Sequence, residues 1–171
     1  NEERPQLTKH LATRFKEKIG QNVNLLGEVV LGNEEADHRY HHYLEALESP
    51  DINYISVKIS GIYAQTHALN YEESFPELVS RMSALYQKAI DFPYTDEDGI
   101  KRSKFINLDM EEYKDAHFTL RLFKAVLNLP QFKNYSAGIV VQAYLPDAYD
   151  FQTELLEFAK ARIDGGGAPI K

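Results

Sequence analysis

The chain has 171 residues, of which 43% are hydrophobic and 26% charged, with a formal net charge of −7 and no cysteine. That length supports one ordinary core, and the composition is globular rather than disordered. Disulfides, zinc–thiolate sites and thiol catalysis are excluded within the chain, and the acidic balance with unclustered Lys and Arg argues against a nucleic-acid-binding segment.

No apolar stretch approaches 20 residues, so no membrane-spanning helix is expected. The opening Asn1-Glu2-Glu3-Arg4-Pro5 has neither the basic start nor the apolar run of a signal peptide. It also lacks an initiating Met, which suggests a fragment.

Leu7 to Ile19 reads as a helix, with Leu7, Leu11, Phe15 and Ile19 every four residues and Gly20 as the stop. Val23 to Val30 is the first apolar run, ending near Glu28. Glu34 to Glu48 follows as a helix whose apolar face is Ala36, Tyr40, Tyr43, Leu44 and Leu47; acidic Glu34, Glu35 and Asp37 suit its N-terminal end. Ile52 to Ser60 is a second strand in which Ile55, Val57 and Ile59 alternate with Ser56, Lys58 and Ser60. After a polar connection, Ser74-Phe75-Pro76-Glu77 resembles a capping box, opening a helix to about Ile90 with Leu78, Met82, Leu85 and Ala89 on one face.

Phe92 to Ser103 reads as a polar loop with a turn at Asp98-Gly99, entering the next strand from its N-terminal side and so far from any site. Phe105 to Asp109 is the third strand. Its following helix carries Ala116, Leu120, Phe123 and Leu127, with Glu111 and Glu112 placed to cap it. Gly138 to Tyr144 is nearly all apolar, as a strand buried on both faces is. The last helix begins at Pro146-Asp147, carries Phe151, Leu155, Phe158 and Ala159, and closes at Gly165-Gly166-Gly167. Ala168 to Lys171 resembles the lead-in to a fifth strand.

Each of the four strand runs ends near a polar residue: Glu28, Lys58, Asp109 and Gln142. In parallel α/β folds ligands lie beyond the carboxyl ends of the strands, which makes these four the site candidates. Two of their spacings approach the roughly 30 residues of one βα unit of an eight-fold barrel. The expected fold is therefore α/β: the first half of a (β/α)8 barrel, four parallel strands with outer helices, preceded by an N-terminal helix. Residues 1–20 form the helical segment and 21–171 the four βα units. The alternative is a complete flavodoxin-like sheet acting as a ligand-binding or non-catalytic module.

Lys58 breaks an apolar strand and faces the lumen, where a cation needs a partner or an anion to bind; Asp109 on the next strand is its natural partner. Gly27 and Gly32 have P-loop spacing, but Asn33 and Glu34 replace the Lys and Ser/Thr. His38, His41 and His42 lie opposite the apolar helix face and read as solvated surface, so no metal site is expected.

Four segments together resemble the flavin-dependent proline dehydrogenase family: Leu26-Gly27-Glu28, Ser56-Val57-Lys58-Ile59-Ser60, Asn107-Leu108-Asp109-Met110-Glu111-Glu112 and Val141-Gln142-Ala143-Tyr144. They follow the family's order and spacing over roughly residues 22 to 145. The third looks most like the bifunctional bacterial enzymes of proline catabolism, which also carry an aldehyde dehydrogenase domain. The resemblance implies a (β/α)8 barrel holding FAD and oxidising L-proline to Δ1-pyrroline-5-carboxylate by hydride transfer, with electrons passed to quinone. It implies that Lys58 helps hold the substrate carboxylate, that Asp109 lies in the polar network beside it, and that Gln142 hydrogen-bonds the flavin. Glu28 would support the site from the first strand; Asn24, a further substrate-side candidate, stands where many members have Asp. The family's later arginines for flavin and substrate would lie past Lys171. The expectation is thus of a fragment inactive by itself and prone to self-association. The full-length protein would be cytoplasmic and peripheral to the inner membrane.

Overall fold

The computed structural model describes residues 4–24, 32–63 and 71–171. In chain order the elements are α1 (Arg4–Lys16), β1 (Val23–Asn24), α2 (Asn33–Glu48), β2 (Tyr54–Lys58), α3 (Tyr71–Asp91), β3 (Tyr94–Thr95), β4 (Lys101–Arg102), β5 (Phe105–Asp109), α4 (Ala116–Leu127), β6 (Gly138–Ile139) and α5 (Ala148–Asp164).

Four strands make one parallel sheet in the order β1-β2-β5-β6. Sequential order with helical crossovers is the arrangement of a barrel wall. A flavodoxin-like sheet would have its first two strands exchanged, so that alternative is set aside. The final residues run beside β6: Lys171 N donates to Ala137 O and Ile139 N to Lys171 O. This is the bonding of a parallel bridge, matching the expected lead-in to a fifth strand.

The strands divide by period two. Ile55, Val57, Ile106 and Leu108 are fully buried on the outer face. They join one core with Tyr43 and Leu47 of α2, Leu78, Met82, Leu85 and Ala89 of α3, and Ala116, Leu120, Phe123 and Leu127 of α4. The predicted faces of these three helices are therefore the buried ones. The inner face presents Tyr54, Ser56 and Lys58 from β2 opposite Phe105, Asn107 and Asp109 from β5.

Several boundaries differ from expectation. Helix α1 ends at Lys16, because Lys18 adopts a left-handed φ of 61° and Ile19 N bonds back to Arg14 O, a Schellman-type stop before Gly20. Of its apolar stripe only Leu11 is buried. Strand β2 stops at Lys58, and Ile59–Gly61 winds into a 3₁₀ turn. Helix α3 starts at Tyr71 with Glu72 and Glu73 in its first turn, so Ser74 is not its cap and Pro76 lies inside it, where one i→i−4 bond is forfeited. The loop after α3 contains a small hairpin, β3 against β4, turning at Gly99 with φ 79°. Strand β6 is only two residues long, since beyond Val140 N→Leu108 O the chain turns and Leu145 N bonds Gln142 O. The predicted first strand beyond Asn24, Glu28 included, lies outside the described residues.

Candidate functional site at the carboxyl ends of the strands

The inner face is built in layers along the barrel axis. At the amino end Tyr54 and Phe105 meet edge to face at 5.0 Å, with the Lys171 ammonium 5.4 Å and 5.9 Å from their ring centres. The next layer aligns Asn24, Ser56, Asn107 and Gly138. Asn22 Nδ2 donates to Ser56 Oγ at 2.9 Å. Gly138 has no side chain because Asn107 and Phe105 fill its place: a Cβ there would stand 2.4 Å from Asn107 Oδ1.

Above this, Lys58 and Asp109 are register partners on adjacent strands and project to the same side. Asn107 Nδ2 donates to Asp109 Oδ1 at 2.9 Å, which fixes the carboxylate. The expected Lys58–Asp109 ion pair does not form. Among the described residues no carboxylate lies within ion-pairing distance of Lys58. The half-buried ammonium is thus presented from the strand end without a protein anion among the described residues.

The outermost layer joins three strand ends. Glu111 Oε1 accepts from Ser60 Oγ at 2.9 Å and Oε2 from Ser60 N at 3.2 Å. Gln142 Nε2 donates to Met110 O and Glu111 O, each at 3.2 Å. Gln142 therefore reaches the same end as Lys58 and Asp109, although it stands in the loop after β6 and not on a strand. Glu111, expected to cap a helix, instead bonds across to the turn that follows β2; a 3₁₀ turn at Tyr113–Asp115 separates it from α4. Asn24 is exposed one layer further in, and Glu28 lies outside the described residues.

The turn after β2 is held from behind. Arg81 Nη1 donates to Ile62 O at 3.0 Å while its guanidinium pairs with Asp37 at 2.5 Å and Glu77 at 2.7 Å. Burial pushes the Tyr43 phenol above its usual pKa, and its hydroxyl fills the space a Cβ on Gly61 would take, at 2.7 Å. Sequence reasoning placed Ser60 on the inner face but missed its bond to Glu111 and the Asn107 brace. The inward parity of Ser60 with Lys58 and of Asn107 with Asp109 was the available signal; the cross-strand register needed to use it was not.

The proline dehydrogenase family model matches residues 7–171. The chain belongs to the proline dehydrogenase family. Among solved structures it is 40% identical to proline utilization A of Corynebacterium freiburgense, with a TM-score of 0.87 over 96% of this chain and 16% of that one. Proline utilization A of Bdellovibrio bacteriovorus is 30% identical, with a TM-score of 0.78 over 95% of this chain and 18% of that one. The Bradyrhizobium japonicum protein, in its D779Y mutant, is 24% identical with a TM-score of 0.70 over 82% of this chain and 15% of that one, a likeness of fold. No curated protein sequence matches the chain. The chain thus spans under a fifth of the length of these solved relatives. The family places the four parallel strands in a TIM-type barrel, with the polar layers of the inner face at the end where that fold keeps its sites.

Proposed function

We propose that this chain is the first half of the catalytic barrel of an FAD-dependent enzyme that oxidises L-proline to Δ1-pyrroline-5-carboxylate. The observation that carries the reading is Lys58: a cation at a strand's carboxyl end, beside a braced Asp109, with no carboxylate paired to it among the described residues. Such an ammonium suits the carboxylate of an amino-acid substrate. The Bdellovibrio relative was solved after inactivation by N-propargylglycine, an amino-acid derivative, which agrees with a site for such ligands.

The residues present also fit part of a flavin site. Two backbone carbonyls hold the Gln142 amide nitrogen, which orients the carboxamide and turns its oxygen toward use as an acceptor for a ring N–H. A flavin bound there supplies the hydride acceptor. Lys58 binds and orients the substrate carboxylate, Asp109 completes the polar wall beside it, and Asn107 keeps Asp109 in place. Asn24 supports the substrate from the first strand, and Glu28, outside the described residues, is proposed to do the same. Quinone is the proposed electron acceptor of the full-length protein, and the cytoplasmic side of the inner membrane its place of work. None of the described helices is long and apolar enough to cross a membrane. The 171-residue chain alone, supplying one half of the barrel wall, is proposed to lack turnover and tight FAD binding.

The test is anaerobic titration of the full-length protein with L-proline. Bleaching of a bound flavin, identified as FAD after extraction, is expected, with Δ1-pyrroline-5-carboxylate as product. The Lys58→Ala variant should retain its flavin and lose proline affinity by about tenfold or more, the value of a charge-assisted contact. A flavin indifferent to L-proline would defeat the proposal. A 171-residue chain that is yellow and reduces a dye when given L-proline would defeat its last part.

A further inference from the structure

Residue 111 is where three strand ends are tied together. Its carboxylate uses one oxygen on the hydroxyl and the other on the backbone N–H of Ser60, in the 3₁₀ turn two residues past Lys58. Its carbonyl oxygen, with that of Met110, holds the amide nitrogen of Gln142. Among the described residues its carboxylate forms no ion pair, and the acidic neighbour Glu112 is occupied by Lys114 at 2.8 Å. The turn that follows Lys58 and the Gln142 carboxamide are thus both tied to Glu111, one through its side chain and one through its backbone.

We propose that Glu111 is a positioning residue of the site, acting through these hydrogen bonds and not through its negative charge. The inference rests on the proline-oxidising reading of the site. Its chemistry makes a sharp distinction possible. A serine hydroxyl both donates and accepts. A glutamine at 111 can therefore accept from Ser60 N with its oxygen and donate to Ser60 Oγ with its nitrogen, keeping both contacts without the charge. An alanine keeps neither and frees the β2 turn, and displacement of a binding group by about 1 Å can cost up to about a hundredfold in rate. Ser60→Ala removes only the hydroxyl contact, leaving the carbonyls that hold Gln142 untouched.

The experiment uses the full-length protein with Glu111→Ala, Glu111→Gln and Ser60→Ala. It reads the FAD dissociation constant of each apoprotein by flavin fluorescence, and KM and kcat for L-proline separately. Glu111→Ala is expected to raise the proline KM by about tenfold or more, and the FAD dissociation constant by less, because the carbonyl that holds Gln142 remains. Glu111→Gln should stay within about twofold of wild type in both. Ser60→Ala should raise the proline KM severalfold with FAD affinity unchanged, a split that general loss of stability would not give. Equal impairment by Gln and Ala would show that charge is what matters and overturn the inference. So would Ser60→Ala leaving KM unchanged, which decides the matter even where Glu111→Ala does not fold. Wild-type protein that takes up no FAD overturns the reading of the site and this inference with it; active wild type with an unimpaired Glu111→Ala overturns the inference alone.

Discussion

Lys104 offers the sharpest stability test, because it is a buried cation with no carboxylate paired to it among the described residues. Its side chain is 1% exposed, and its ammonium donates to Ser49 O at the end of α2. Its backbone ties in two further elements: Lys104 N donates to Ala89 O, and Tyr135 Oη donates to Lys104 O. Burial pushes its pKa from 10.5 down to about 8, with the Asp51 charge opposing. That gap corresponds to on the order of 3 kcal/mol of disfavoured charge. Below pH 8 both folded and unfolded chains carry the proton, so the full cost is present. Between pH 8 and 10.5 the unfolded chain binds more protons than the folded one, and stability rises with pH. Lys104→Met keeps the stem and removes the titration. The stability of wild type relative to this variant should therefore climb by about 2.5 kcal/mol between pH 7 and pH 10. The phenols of Tyr86 and Tyr135, raised by burial, act on both proteins and cancel to first order in the difference. Urea denaturation followed by far-ultraviolet circular dichroism measures it, since the chain has no tryptophan. A difference that stays flat across this range, or falls, would refute the reasoning.

Gly138→Ala should destabilise by roughly 1–3 kcal/mol, because the new methyl meets Asn107 Oδ1 and the Phe105 ring; an unchanged urea midpoint would show that Asn107 can move aside. Because Asn107 braces Asp109, the same change should weaken proline binding in the full-length protein. Lys18→Gly should stabilise by about 1 kcal/mol, relieving a side chain at φ 61° while losing only the exposed pair with Glu97; calorimetry showing a lower Tm would contradict this. The 171-residue chain should self-associate, most simply as a two-fold dimer, since the outer edge of β1 has no partner strand among the described residues; a monomeric mass by light scattering would count against it.

The helix faces were legible because a 3.6-residue period leaves little choice: Leu78, Met82, Leu85 and Ala89 repeat at that spacing and all are fully buried. The two central strands were legible for the matching reason, Ile and Val alternating with Ser and Lys. Their ends were not. Ile59 continues the apolar alternation, yet the chain winds into a turn there, and Ser60 N is taken by Glu111, 51 residues away. The run from Gly138 to Tyr144 is apolar enough for a strand, but only its first two residues are assigned as one. Register supplies what pattern lacks. Placing Lys58 opposite Asp109 followed from parity. That Asp109 is bonded to Asn107 along its own strand, leaving the lysine without it, depends on side-chain geometry that no spacing encodes.

One alternation serves both fold and site. On the outer face Ile55, Val57, Ile106 and Leu108 provide the apolar area that holds the helices. The intervening Ser56, Lys58, Asn107 and Asp109 are thereby committed to the inner face, and a one-residue slip would exchange the two sets. Buried polar groups must be satisfied, and deeper in the barrel they are: Asn22 with Ser56, Asn107 with Asp109. Toward the carboxyl end, Lys58 is left without a protein counter-charge among the described residues. There the strand dipeptides Lys58-Ile59 and Asp109-Met110 pass into turns, and water or a ligand can meet the ammonium. The cost of an unpaired cation falls toward that end of the barrel, so the binding group can be kept there with the least loss to the fold.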